Sequence, residues 1–183
     1  GIRDYKVTGV QTCALPILRL AGADVSSVAV IGAGATARAV VAALARAGSA
    51  VRVSNRTPQR RDEAVSIGNA VRAGSTQSIE LSEVGECATI INTTPQGMAG
   101  VSPEAVPFDP KVLSSRHCVL DAVYNPLETP LLRAARERGA KVVDGLDMLC
   151  AQAARQQELW LARRPDVALM RRAALAELAK SQR

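Results

Sequence analysis

The most restrictive feature of this chain is an uninterrupted passage from an apolar run, through two glycines, into a helical pattern. Ser27-Val-Ala-Val-Ile31 is short, apolar and β-branched, and Gly32-Ala-Gly34-Ala-Thr-Ala37 follows with no spacer. An apolar run of this length that ends at glycine predicts a buried strand. From residue 38 to 47 the period becomes helical, and Gly48 stands where a helix is expected to stop. A strand that turns directly into a helix opens a βαβ unit. That unit requires a parallel sheet with right-handed crossovers.

The rest of the chain repeats the alternation. Strands are predicted at 50–54, 77–79, 88–92, 118–123 and 141–143. A second helix is predicted to be capped by Thr57, with Pro58 at its first position, and to stop at Gly68. A third starts at Thr129-Pro130 and stops at Gly139, and 146–161 and 166–180 are helical stretches with no strand after them. The expected fold class is α/β: a doubly wound parallel sheet of the Rossmann type with two C-terminal helices. Aromatic residues make up only 2% of a chain that is 48% hydrophobic, so Ala, Val, Leu and Ile must build the core. Such side chains suit helices packed closely on a parallel sheet.

The first seventeen residues do not fit this pattern. Val7-Thr-Gly-Val-Gln-Thr-Cys-Ala-Leu-Pro-Ile17 shows no clear helical or strand period. It back-translates, codon by codon, into a common short-read sequencing adapter. Residues 1–17 are therefore expected to be a non-native leader without a packing role, and 18–183 the folded domain.

The net charge of +6 is compatible with an anionic ligand, but aromatic platforms and a strong basic run are both lacking, so nucleic acid is not expected. No stretch reaches the roughly 18 apolar residues of a membrane span and no signal peptide is evident, so the expected location is the cytoplasm. Cys13, Cys87, Cys118 and Cys150 form no CxxC pair, and His117 is the only histidine, so no metal site is expected.

Gly32-x-Gly34-x-x-Ala37 carries chemistry because of its context. Gly32 permits the tight turn, Gly34 lets backbone approach a pyrophosphate, and Ala37 allows close packing of helix on strand. Free N–H groups at the helix N-terminus hold the anion. About 20 residues past the glycines, an NAD site places an acid that accepts the ribose hydroxyls. Ser54 and Asn55 stand there instead, followed by Arg56 and Thr57, with Arg60 and Arg61 one helical turn later. A carboxylate would repel a 2′-phosphate, whereas arginines bind it through charge-assisted hydrogen bonds. The cofactor is therefore expected to be NADP.

Several motifs occur in a fixed order: Gly32-Ala-Gly-Ala-Thr-Ala-Arg38; Asn55-Arg-Thr57 with Arg60; Ile91-Asn-Thr-Thr94; Asp121-Ala-Val-Tyr-Asn-Pro126; and Asp144-Gly-Leu-Asp-Met-Leu149 with Gln152. From about Val25 onward the chain resembles the C-terminal part of the shikimate dehydrogenase family. The resemblance implies NADP-dependent reduction of 3-dehydroshikimate to shikimate, in aromatic amino-acid biosynthesis. It places the cofactor on Gly32, Ala33, Gly34, Ala35, Thr36, Ala37, Asn55, Arg56, Thr57, Arg60, Asn92, Thr93, Thr94, Val123, Gly145 and Met148, and the substrate hydroxyls on Tyr124 and Gln152. It leaves a homodimer of the full-length enzyme open.

The family also has a preceding substrate domain. That domain carries serines for the substrate carboxylate and a Lys–Asp pair that handles the proton. Lys6, Lys111, Lys141 and Lys180 sit in no matching motif, and Asp24 lies too close to Gly32 to be the family's aspartate. No catalytic residue is therefore assigned within this chain, which is expected to be a fragment that binds NADP without turnover. A glutamyl-tRNA reductase-like NADP domain shares the Asn-Arg-Thr motif, but the motifs at 121–126 and 144–149 argue against it. A non-catalytic NADP-binding module is the alternative of a different class.

Overall fold

The computed structural model describes residues 9–163 and 165–181. Six strands form one all-parallel sheet: β1 (Ser27–Ile31), β2 (Ala50–Ser54), β3 (Thr76–Ser78), β4 (Thr89–Asn92), β5 (Cys118–Asp121) and β6 (Lys141–Val143). Their order across the sheet is β3-β2-β1-β4-β5-β6. The direction of build-up reverses between β1 and β4, the switch point at which ligands bind in doubly wound sheets. Ile31 is in register with Ser54 on one side and Asn92 on the other, and Asn92 with Asp121. The loops that follow these strands therefore leave from one carboxyl edge.

Side-chain alternation along the strands divides the core between the two faces. Val28 and Val30 join Val51, Val53, Ile91 and Leu120 under α2 (Ala35–Arg46) and α3 (Pro58–Val71). Ala29 and Ile31 join Ile90 and Val119 under α4 (Pro130–Glu137) and the connecting loops. Both faces are thus covered, which explains the near-continuous apolar strands. At the C-terminus, α5 (Gly145–Leu161) follows β6, and α6 (Val167–Ser181) packs on α5. The expected fold class holds in full.

Three local readings need correction. Gly68 does not stop the second helix, which runs on to Val71. A Cβ at Gly68 would lie 2.0 Å from Thr76 Oγ1 and 2.9 Å from Val41, so this glycine lets α3 press against β3 and α2. The fifth strand ends at Asp121 rather than Val123, because the Asp121 carboxylate accepts the Val123 N–H at 3.1 Å. The front of the chain contains a helix, α1 (Gly9–Leu20), where no helical period was read. Ala14 and Leu18 of α1 are buried in the core, with Leu15 and Ile17 packed against it. The helix lies against α2 and α5, so 9–20 do pack, contrary to the reading of an indifferent leader. Residues 1–8 lie outside the described residues.

Candidate active site

A cavity of about 480 Å³ opens at the carboxyl edge over β2, β1 and β4. Its floor is the turn after β1. Gly32 has φ +110° there, and a Cβ would come within 2.5 Å of Thr93 Oγ1. The same Thr93 hydroxyl donates to the Ile31 carbonyl at 2.7 Å, so β4 holds the turn in place. Gly34 is the N-cap of α2, no side chain caps it, and a Cβ there would meet nothing within 4 Å. The N–H groups of the first turn have no intrahelical acceptor. Uncapped N–H groups at a helix N-terminus beside an open glycine suit an anion.

One wall comes from the end of β2. Ser54 is buried where an acid would mark an NAD site. The Asn55 amide donates to the Thr57 carbonyl at 3.0 Å and fixes the turn into α3. Thr57 occupies the N-cap position of α3, but its side chain makes no capping bond, which departs from the expected cap. Neighbouring guanidiniums are committed: Arg38 to Glu63 at 2.5 Å, Arg52 to Glu86 at 2.7 Å, Arg61 to Asp62 at 2.9 Å. Arg56 and Arg60 line the cavity and are exposed, and among the described residues neither makes an ion pair. Two unneutralised cations beside a helix N-terminus, with no acid at the end of β2, suit a phosphate ester.

The opposite wall contains Thr93, Thr94, Pro95 and Gln96, with Ser102 and Pro107 beyond. Sequence reasoning missed Gln96, Ser102, Pro107, Pro95, Ile31 and Leu81. Only the position of the 95–107 loop after a strand end could have pointed to the first three. Gln96 Oε1 is buried without a hydrogen-bond partner, an orphaned acceptor at the cavity wall.

The cavity brings together Gly32, Ala33, Gly34, Asn55, Arg56, Thr57, Arg60, Thr93 and Thr94 from the expected cofactor set. Ala35 and Thr36 form the first turn of α2 just outside the lining, and Ala37 is fully buried in the helix–sheet contact. Asn92 is also fully buried and does not line the cavity. Its Nδ2 donates to Asp121 Oδ1 at 2.9 Å, and its Oδ1 accepts from the Thr94 hydroxyl and N–H at 2.7 and 3.0 Å. Asn92 thus sets the Thr94 loop from beneath. Thr129 Oγ1 donates to Asp121 Oδ2 at 2.7 Å, tying α4 into the same network. Burial raises the Asp121 pKa, and bonds from Thr129, Val123 and Asn92 oppose that rise.

Val123, Tyr124, Gly145, Met148 and Gln152 lie outside the cavity, around the ends of β5 and β6. Val123 and Met148 are buried, Tyr124 is 41% exposed, and Gln152 is half-buried on α5. A Cβ on Gly145 would sit 2.4 Å from the Val123 carbonyl, so α5 starts hard against the loop after β5. His117 is buried: its Nδ1 accepts from the Ser114 N–H at 2.8 Å, and its Nε2 lies 3.0 Å from the Gly85 carbonyl. Among the described residues no group of acids, histidines or cysteines could hold a metal ion, and no helix is long and apolar enough to cross a membrane.

Known proteins divide the chain as the geometry does. Residues 27–120 match the family described as NADP oxidoreductase, coenzyme F420-dependent. Residues 145–175 match the shikimate 5′-dehydrogenase C-terminal domain. The shikimate dehydrogenase (NADP(+)) of Archaeoglobus fulgidus is 43% identical over 153 residues, 81% of this chain and 56% of that protein. The one from Methanocella arvoryzae is 39% identical over 168 residues, 88% and 61% of the two chains. The chain therefore spans a little over half the length of the curated relatives it matches. Shikimate 5-dehydrogenase from Thermus thermophilus, solved with NADP(H) and shikimate, superposes with a TM-score of 0.83 at 32% identity over 92% of this chain and 62% of that one. Quinate dehydrogenase from Corynebacterium glutamicum, solved with NAD, gives a TM-score of 0.85 at 28% identity over the same shares, 92% and 62%. With relatives at 43% and 39% identity over 81% and 88% of its length, the chain belongs to the shikimate dehydrogenase family.

Proposed function

We propose that this chain is the NADP-binding part of an enzyme that reversibly reduces 3-dehydroshikimate to shikimate, and that residues 18–183 are its cofactor domain. The observation that carries the reading is the pair Arg56 and Arg60, without ion-pair partners among the described residues and beside a β2 end that has no acid. When bound, NADPH supplies the hydride. The turn at Gly32–Gly34 and the first turn of α2 would take the pyrophosphate. Asn55, Arg56, Thr57 and Arg60 would hold the adenosine phosphate, and Thr93 and Thr94 would border the cofactor. Tyr124 and Gln152 would meet substrate hydroxyls beyond the nicotinamide end. Gly145 and Met148 would back that end from α5.

A substrate domain outside this chain would close the cleft. Leu159, Trp160 and Leu161 at the end of α5 are 59%, 75% and 67% exposed, which supports a covering lobe. The cytoplasm suits Cys87, Cys118 and Cys150, all free and buried.

Arg56→Ala tests the reading. It is expected to weaken NADPH binding by about tenfold or more, the worth of one charge-assisted contact, and to leave NADH binding nearly unchanged. Equal losses for the two cofactors in calorimetric titrations would refute a 2′-phosphate role.

A further inference from the structure

The C-terminal helix α6 packs on α5 and carries Arg171, whose guanidinium reaches the start of that helix. Arg171 donates through Nη1 and Nη2 to Asp144 Oδ1 and Oδ2 at 3.0 and 2.7 Å, and Nη1 also pairs with Asp147 Oδ1 at 3.1 Å. Such a two-pronged fork fixes orientation as well as distance. Asp144 is not a free surface acid. Its side chain is only 13% exposed, and its Oδ1 accepts the Asp147 N–H at 3.0 Å, which caps α5. The next residue, Gly145, is the one pressed against the Val123 and Ala122 carbonyls, where a Cβ would come within 2.4 and 2.6 Å. One guanidinium on the last helix thus grips the residue that caps α5, next to the glycine pressed against the loop after β5.

That N-terminus occupies a particular place on the carboxyl edge. The uncommitted arginines lie at the end of β2 and the anion cradle at β1. With the order β3-β2-β1-β4-β5-β6, a dinucleotide anchored at those two points must extend its second nucleoside toward β4, β5 and β6. The first turn of α5 stands at that far end.

We propose that Arg171 is a positioning residue for the second nucleoside of the bound dinucleotide, acting through Asp144 and the first turn of α5. The inference rests on the dinucleotide-binding reading above. Without Arg171, the Asp144 and Asp147 carboxylates would face each other without the cation that neutralises them. The turn would be free to shift from the β5 loop, while the adenosine end at β2 would not change.

The test compares two ligands on the full chain. NADPH carries both nucleosides; adenosine 2′,5′-bisphosphate carries only the phosphate-bearing one. Arg171→Met is expected to raise the Kd for NADPH roughly fivefold or more, a coupling at the low end for connected sites, and to leave that for adenosine 2′,5′-bisphosphate within twofold. Asp144→Asn keeps a capping oxygen but loses the charge, and is expected to give the same split. Arg171→Lys is expected to recover part of the loss. Equal losses for both ligands, or no loss for either, in both the Arg171→Met and Asp144→Asn chains would overturn the proposal. If the unaltered chain bound neither ligand, the dinucleotide reading itself would fall, and this inference with it.

Discussion

Shikimate-dependent reduction of NADP by the purified 183-residue chain is expected to stay at background under conditions where NADPH binds. Moving a hydride between cofactor and substrate needs a positioned group to hold the hydroxyl proton. General acid–base catalysis of that kind contributes roughly 10²–10⁴-fold. The described lysines stand away from the carboxyl edge. Lys141 opens β6 at its amino end and donates to the Gly22 carbonyl, Lys180 pairs with Glu177 near the end of α6, and Lys111 lies in the turn before β5. The acids at the ends of β5 and β6 are committed, Asp121 to Asn92, Val123 and Thr129, and Asp144 and Asp147 to Arg171. In the function proposed above a separate substrate domain supplies the second wall that positions the substrate, and orientation can be worth about 7–11 kcal/mol. A spectrophotometric assay at high enzyme concentration checks the expectation. Measurable turnover would contradict it and would direct attention to Tyr124, the titratable side chain left uncommitted near the ends of β5 and β6.

Asp121→Ala is expected to destabilise the fold by about 3–5 kcal/mol, among the larger effects of single substitutions. Asp121 is fully buried, and its removal leaves the Asn92 amide, the Val123 N–H and the Thr129 hydroxyl without their acceptor. Urea unfolding measures the loss, and a value below about 1 kcal/mol would show that those donors find other partners. The pH dependence has an unusual sign. Burial raises this pKa above its ordinary 3.8. The folded chain therefore takes up the proton more readily than the unfolded chain. This carboxyl favours the fold increasingly as pH falls through the interval between its folded and unfolded values, opposite to an ion-paired aspartate. The stability difference between the wild-type chain and Asp121→Asn should accordingly move in the wild type's favour on acidification.

Local sequence carried the nucleotide half of the site. The Gly32-x-Gly34 turn and the Asn55-Arg-Thr57 segment each fall within one strand–turn–helix passage, so strand period, glycine geometry and charge could be read together. What escaped were contacts between distant residues. Asn92, placed on the cofactor by the family resemblance, is buried and bonds Asp121 across 29 positions. The fork from Arg171 to Asp144 likewise spans 27 positions. Gly68 looked like a helix stop because the Thr76 and Val41 side chains it accommodates belong to other elements. The helix over Gly9–Leu20 escaped because Pro16 stands inside it and the elements it packs on, α2 and α5, come later in the chain.

The proposed function turns on recognition of a 2′-phosphate at the end of β2. Titrating the purified chain with NADPH and NADH in parallel, at fixed ionic strength, tests it most directly. Arg56 and Arg60 offer two charge-assisted contacts, each worth roughly 1.5–3 kcal/mol, that NADH cannot use. NADPH is therefore predicted to bind at least about tenfold more tightly, with the preference shrinking as salt rises. Equal affinities, or tighter binding of NADH, would contradict the account.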